Sequence, residues 1–198
     1  MARRSEHSQE QIREMVLSAA EAIVIDEGVE ALTVRKIALE IGYTVGSIYM
    51  VFANMQDLMM HIKGRTLDQL ALRLQEVPDA LDIDQRILAL ADAYLGFAAE
   101  NYNRWRIIFE PDLQYSNELP DWYQQKVELI FAPIEALFRQ LAPESGADQA
   151  RLAARALWCG VHGVCVLSLN GNLGRTGVEN AESTVRLLVE SFIRGWRR

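Results

Sequence analysis

A few residues in this 198-residue chain have side chains suited to catalysis. Cys159 and His162 are three apart, the types of a thiolate nucleophile and its base. They lie in an apolar run with no acidic third member beside them, so an inert thiol and a satisfied core histidine are the simpler assignments. Three histidines without ligand spacing do not make a metal centre. Gly171-Asn172-Leu173-Gly174 is a lone turn, not a phosphate-binding loop. No catalytic residue, metal or cofactor is expected. A different chemistry fits Thr33, Arg35, Lys36, Thr44, Ser47 and Tyr49. Hydroxyls and cations crowded into a short stretch suit hydrogen bonding to phosphate oxygens.

These residues need helices to place them. The pattern is helical nearly throughout, and the spacing predicts an all-α protein of about nine helices. Ser8-Gln9-Glu10-Gln11 has the form of a capping box. Ile12, Met15, Val16, Ala19, Ala20, Ile23 and Val24 then recur at helical spacing, and Gly28 stands where a left-handed cap would stop the helix. Thr33 caps a second helix with Val34, Ile37, Ala38 and Ile41 inward. Gly42 ends it, and Thr44 caps a third, very short helix with Ile48 and Phe52 inward. Asn54 caps a fourth that runs to Val77-Pro78-Asp79. Further helices are expected over about 83–101, 104–109, 120–141 with a kink or break at Pro133, 147–169 and 178–196. Thr176-Gly177-Val178-Glu179 reads as the capping box of the last.

Two short helices joined by a glycine-containing turn make a helix-turn-helix. With its apolar side packed inward, the third helix presents Val45, Gly46, Ser47, Tyr49 and Met50. Small residues at its start would let it enter a DNA major groove. Gly46 would allow close backbone approach, and Thr44 and Tyr49 would meet phosphates. Thr33, Arg35 and Lys36 would hold the flanking backbone, and Arg3 and Arg4 could form a basic arm. On spacing alone, a small helical bundle with a surface turn remains the alternative.

Gly28 to Ile62, "GVEALTVRKIALEIGYTVGSIYMVFANMQDLMMHI", closely resembles the DNA-binding domain of TetR-family transcriptional regulators. Leu32-Thr33-Val34-Arg35, Ile37-Ala38, Ile41-Gly42, Thr44, Gly46-Ser47-Ile48-Tyr49, Phe52 and Leu58 carry the match. The resemblance implies a helix-turn-helix domain over 1–66 and a helical effector-binding and dimerisation domain over 67–198. It implies a cytoplasmic regulator, usually a repressor, that binds double-stranded DNA at a palindromic operator as a homodimer and is released by a small molecule. Two positions depart from the usual pattern. Met50 stands where His or Tyr is frequent, and Met55 where Lys is frequent. With Val45 they leave the third helix uncharged. Direct base readout should be thin, and DNA shape and phosphate positioning should matter.

"LWCGVHGVCVLSL", Leu157 to Leu169, resembles a TetR C-terminal subgroup marked by Trp, His and Gly, here Trp158, His162 and Gly163. Ala153, Ala156, Gly160 and Gly163 put small residues along one side of that helix. Val185, Leu188, Val189, Phe192 and Trp196 belong to an apolar stripe on the last. Together these suit a four-helix interface of two-fold symmetry. Tyr94, Trp105, Phe109, Tyr115, Phe131, Trp158 and His162 are candidates to line a pocket for an apolar or aromatic effector. Core packing is the simpler role for each aromatic. The alternative function keeps the first domain but has no effector, and acts through a protein partner or in chromosome organisation.

The formal charge is −7, so bulk charge does not announce a nucleic-acid ligand. MARRSEHSQEQ lacks the apolar core of a secretory signal. The apolar run Ala156–Leu169, interrupted by His162, is shorter than a membrane span. Cys159 and Cys165 are expected to be inert buried thiols rather than a disulfide. No membrane partner is expected.

Overall fold

The computed structural model describes residues 7–110 and 119–197. Arg3, Arg4 and Tyr115, three of the residues singled out above, lie outside that range. Among the described residues the chain forms nine α-helices and no strand. It divides into two compact units. The first is Met1–Thr66 with Asn103–Leu119, and the second is Leu67–Tyr102 with Pro120–Arg198. The segment 103–119 therefore groups with the first unit, not with the rest of 67–198.

In the first unit α1 (Gln9–Glu27) opens with the expected capping box, Ser8 and Gln11 each serving the other's backbone. Gly28 ends it with φ 86° but ψ 168°, so the chain leaves extended instead of left-handed and makes a 3-10 turn, Val29–Ala31. Then follow α2 (Val34–Glu40), α3 (Val45–Tyr49) and the start of α4 (Met55–Gln75). Val16, Ala20, Val24, Ile37, Ile48, Phe52, Leu58 and Ile62 form one core, and Ile107 of α6 (Tyr102–Ile107) joins it. Lys63 is fully buried and donates to the Glu110 carbonyl at 2.7 Å, beyond the end of α6. A cation on that carbonyl end satisfies groups the helix leaves unpaired. Asn103 donates to Ile25 O at 2.9 Å, and Arg106 pairs with Glu30. These bonds are why 103–110 belongs to the first unit.

The second unit packs α5 (Ile83–Glu100), α7 (Asp121–Leu141), α8 (Gly146–Leu169) and α9 (Ala181–Trp196). Pro133 sits inside an unbroken α7. Pro133 and Leu129, whose carbonyl loses its helical donor, are both on the exposed side, where water can replace it. The cap of α9 is Asn180, which accepts from Ser183 N at 2.7 Å, and not Thr176. Thr176 closes a 3-10 turn, and Gly177 at φ 81° then reverses the chain. Phe138 is fully buried with Phe192 and Trp196 edge-on to it at 5.8 and 5.7 Å. Trp196 also donates to Phe138 O at 3.1 Å. The segment Pro143–Leu169 is longer than the apolar run within it. By length and composition it could cross a membrane, and only 28% of its most apolar stretch is buried.

If Ile107 is part of the first unit's core, Ile107→Ala should cost about 2–4 kcal/mol in urea unfolding. The loss should be read equally by probes placed in the first unit.

Candidate nucleic-acid interface and effector region

The turn between α2 and α3 is a Schellman motif. Tyr43 N donates to Ala38 O at 3.0 Å and Gly42 N to Leu39 O at 3.2 Å. Gly42 takes φ 71°, a value a side chain would strain. Two hydroxyls start the helices. Thr33 Oγ1 accepts from Lys36 N at 3.2 Å, and Thr44 Oγ1 from Ser47 N at 3.3 Å. Capping uses an acceptor lone pair, so Thr33 keeps its O–H for an external oxygen, while Thr44 and Ser47 share one hydroxyl–hydroxyl bond. Ser47 Oγ lies 3.0 Å from Thr44 Oγ1. Ile37, Ala38 and Ile48 are buried, while Thr33, Arg35, Thr44, Gly46, Tyr49 and Met50 are exposed and Lys36, Val45 and Ser47 are half-buried. The ammonium of Lys36 pairs with Glu27, so a phosphate would have to compete for it. Leu39, 82% exposed, is an apolar residue on this surface that pattern reading passed over. A Cβ built at Gly46 would meet only Thr44 Oγ1, at 3.6 Å. The fold itself does not require glycine there.

In the second unit Tyr94, Phe131, Trp158 and His162 come together. The Trp158 and His162 rings stack at 5.0 Å, and Phe131 is edge-on to Trp158 at 5.6 Å. The Tyr94 hydroxyl is 2.8 Å from His162 Nδ1, a bond it donates when the neutral ring carries its proton on Nε2. Burial holds the His162 pKa below its ordinary value. Beside them is an apolar slot of about 40 Å³, lined by Leu74, Ile87, Tyr94, Ile130, Leu157 and Trp158 among others. That is room for a water or two, not for an effector. Trp105 and Phe109 are not in this cluster. They pair with each other at 5.2 Å in the first unit.

Several residues expected at a dimer interface are covered within one chain. Ala153, Val185 and Val189 are buried, Phe192 and Trp196 lie on Phe138, and Leu188 fills the space left by Gly160, 2.8 Å from where a Cβ would stand. Ala156 is exposed. The large exposed apolar residues of α8 and α9 are Leu152 (69%), Leu187 (66%) and Leu167. Cys159 is exposed rather than buried, and Cys165 is buried with its thiol pushed up to about 11.

Residues 16–62 match the family profile described as bacterial regulatory proteins, tetR family. Residues 87–192 match that of a tetracyclin repressor-like C-terminal domain. The chain belongs to the TetR family. An uncharacterized HTH-type transcriptional regulator of Mycobacterium tuberculosis is 24% identical over 80% of this chain and 71% of its own length. The HTH-type transcriptional activator FasR of Mycolicibacterium smegmatis is 29% identical over 73% of this chain and 66% of its own. A solved structure of a protein of unknown function from Rhodococcus sp. RHA1 superposes with a TM-score of 0.77 at 20% identity, covering 99% of this chain and all of that one. As a TetR-family transcriptional regulator the chain is a DNA-binding protein.

Met55, one of the two positions that depart from the usual TetR pattern, is half-buried against the first unit's core. Met50 is 66% exposed beside Tyr49 at the end of α3.

The lowered His162 pKa fixes a sign. A neutral ring favoured in the folded state gives stability that is present above the unfolded pKa and lost as pH falls through the folded value. The melting temperature of the protein should therefore drop more between about pH 7.5 and pH 5 than that of His162→Gln. Parallel curves for the two would remove His162 as the cause.

Proposed function

We propose that the chain is a homodimeric repressor that reads a palindromic operator with α3 and is released from it by a small apolar or aromatic molecule. The observation that carries the operator-reading part is Gly46. It is exposed at the start of a helix whose other side is buried, and the protein's own packing leaves room for a methyl group there. What a missing side chain permits at such a site is approach of another surface, here the floor of a major groove. Thr44 and Tyr49 flank it with hydroxyls, and Thr33, Arg35 and Lys36 stand near enough in sequence to hold neighbouring phosphates. Val45 supplies apolar contact for a thymine methyl, and Ser47 can address one base edge.

Dimerisation follows from the reading. One short helix touches a few base pairs, and two copies about 34–36 Å apart read successive major grooves. The exposed apolar residues of α8 and α9, Leu152, Ala156, Leu167 and Leu187, support a contact between copies there. The same contact accounts for an apolar helix that a single chain leaves mostly uncovered, without calling on a membrane. A DNA target places the protein in the cytoplasm.

The slot among Tyr94, Ile130, Leu157 and Trp158 supports the effector part. Its walls are apolar, with the Tyr94–His162 bond beside it as the polar handle. Its volume of about 40 Å³ means that any effector must open it, and so must prefer an opened conformation. The small volume equally favours a second reading, an effector-independent DNA-binding protein. Effector screening by release of bound DNA separates the two.

Selection from a random duplex pool at a stated near-physiological salt concentration tests the first claim. A two-fold consensus with half-sites one helical turn apart is expected, and no enrichment from a folded dimer would overturn it. Gly46→Ala should leave the melting temperature unchanged or raise it, because alanine is favoured over glycine in a helix by about 0.5–1 kcal/mol. It should nonetheless weaken binding of the selected duplex about ten-fold or more. Tyr49→Ala should weaken binding to all duplexes alike, while Ser47→Ala should relax preference at one base position.

A further inference from the structure

Arg13, on α1, reaches the far end of α3. Its Nη1 donates to the Val51 carbonyl at 2.7 Å, just past the last turn of that helix. Its Nη2 is 2.7 Å from His61 Nε2, on α4. The guanidinium carbon lies 4.3 Å over the centre of the Phe52 ring. Phe52 is buried and meets the His61 ring edge-on at 5.7 Å. Two in-plane donors and one stacked face define the guanidinium's position fully. They tie three elements, α1, the exit of α3 and α4, at one point. A cation at the carbonyl end is also where the helix dipole favours it.

We propose that Arg13 is a positioning residue for α3, setting the angle at which that helix is presented, and that the protonation state of His61 controls the grip. This rests on the reading of α3 as the DNA-reading helix. His61 Nε2 can accept from Arg13 only when the ring is neutral with its proton on Nδ1. Protonation places an N–H on Nε2, removes the acceptor and sets two cations together. Asp57 Oδ1, 3.5 Å from Nε2, is the partner to which the protonated ring turns. Asp57 is itself held by Ala53 N at 2.9 Å and by its own N–H on Asn54 Oδ1 at 2.9 Å, so it receives the ring without moving away. Charged groups near His61 include Arg13 from α1, Asp57 on its own helix and, one turn on, Arg65. The last is bound to Glu14 and Glu21 of α1. Acidification thus moves Nη2 off His61 and leaves the Val51 carbonyl and the Phe52 ring as Arg13's remaining contacts. The sign is distinctive. Added positive charge ordinarily tightens binding to a polyanion, whereas this switch loosens it as pH falls.

The test has an arm that needs no DNA. Long-range ¹H–¹⁵N spectra of the full chain should show His61 as the Nδ1–H tautomer at about pH 7.5, with the amides of 49–52 shifting at the same midpoint as its ring titrates. An Nε2–H tautomer, or amides that ignore the titration, would overturn the proposal. The second arm uses the duplex recovered by selection. Arg13→Lys keeps the charge but not the fork, and should weaken binding about ten-fold, the equivalent of one charge-assisted bond. It also stands in for Arg13→Ala should that variant not fold. His61→Gln supplies a neutral acceptor and should bind like the parent at about pH 7.5. The parent should then lose about three-fold or more relative to His61→Gln by about pH 5.5. Arg13→Lys binding at full strength, or parent and His61→Gln changing in parallel, would sink it. If selection yields no duplex, the operator reading fails, and the spectra still decide the role of Arg13 and His61.

Discussion

Helices of seven and five residues cannot hold themselves together in water, and that constraint governs the first unit. Nucleation costs more than two turns of hydrogen bonds return. α2 and α3 exist because Ile37, Ala38, Ile48 and Phe52 are buried against α1 and α4. The caps Thr33 and Thr44, the Schellman turn at Gly42 and the Arg13 bond at the other end of α3 then satisfy backbone groups that so short a helix leaves open. One side of α3 is thereby committed to the core. The other is free to carry residues chosen for an outside partner, and that is why an uncharged set of Val, Gly, Ser, Tyr and Met is informative.

The second unit solves a different problem with longer helices. Its core is built from aromatic edges, Phe131 on Trp158 and Phe192 and Trp196 on Phe138, and from close approach of α8 and α9 where Leu188 meets Gly160. Around Tyr94 this packing leaves a slot of only about 40 Å³. A ligand entering the slot near Tyr94 would have to displace ring contacts, and the work of doing so is what could make binding there matter to conformation. A roomy preformed cavity would take a ligand with less consequence.

Much of this was legible locally. Caps depend on residues three apart, so Ser8, Thr33, Thr44 and Asn54 could be read from spacing, and the Gly42 turn from one glycine. Thr176 shows the limit. Thr-Gly-Val-Glu has the letters of a capping box, but Gly177 adopts a left-handed turn and passes the role to Asn180. Asn103–Leu119 could not be assigned to the first unit by pattern, because its anchor is Lys63, 47 residues away from the carbonyl it caps. Periodicity also cannot say what covers an apolar stripe. Val185 and Val189 look the same in sequence whether α5 and α8 of the same chain bury them or a second copy does. They are buried in the single chain.

The lack of charge on α3 limits the base contacts such a helix could make. Without Lys or Arg on α3, bidentate contact to guanine is not available from it, and the uncharged side chains offer one hydroxyl edge and apolar contact instead. If α3 is the operator-reading helix as proposed, affinity would come mainly from phosphates, which carry no sequence information, and discrimination would fall to geometry: how deeply Gly46 lets the backbone approach, and at what angle α3 is held. A helix that reads by shape is more sensitive to its own orientation than one that reads by long, flexible cations, because it has no side chain to take up a misplacement. On the proposed operator reading, the residues that anchor α3 from behind, Arg13 among them, would matter to specificity as much as those set toward the groove.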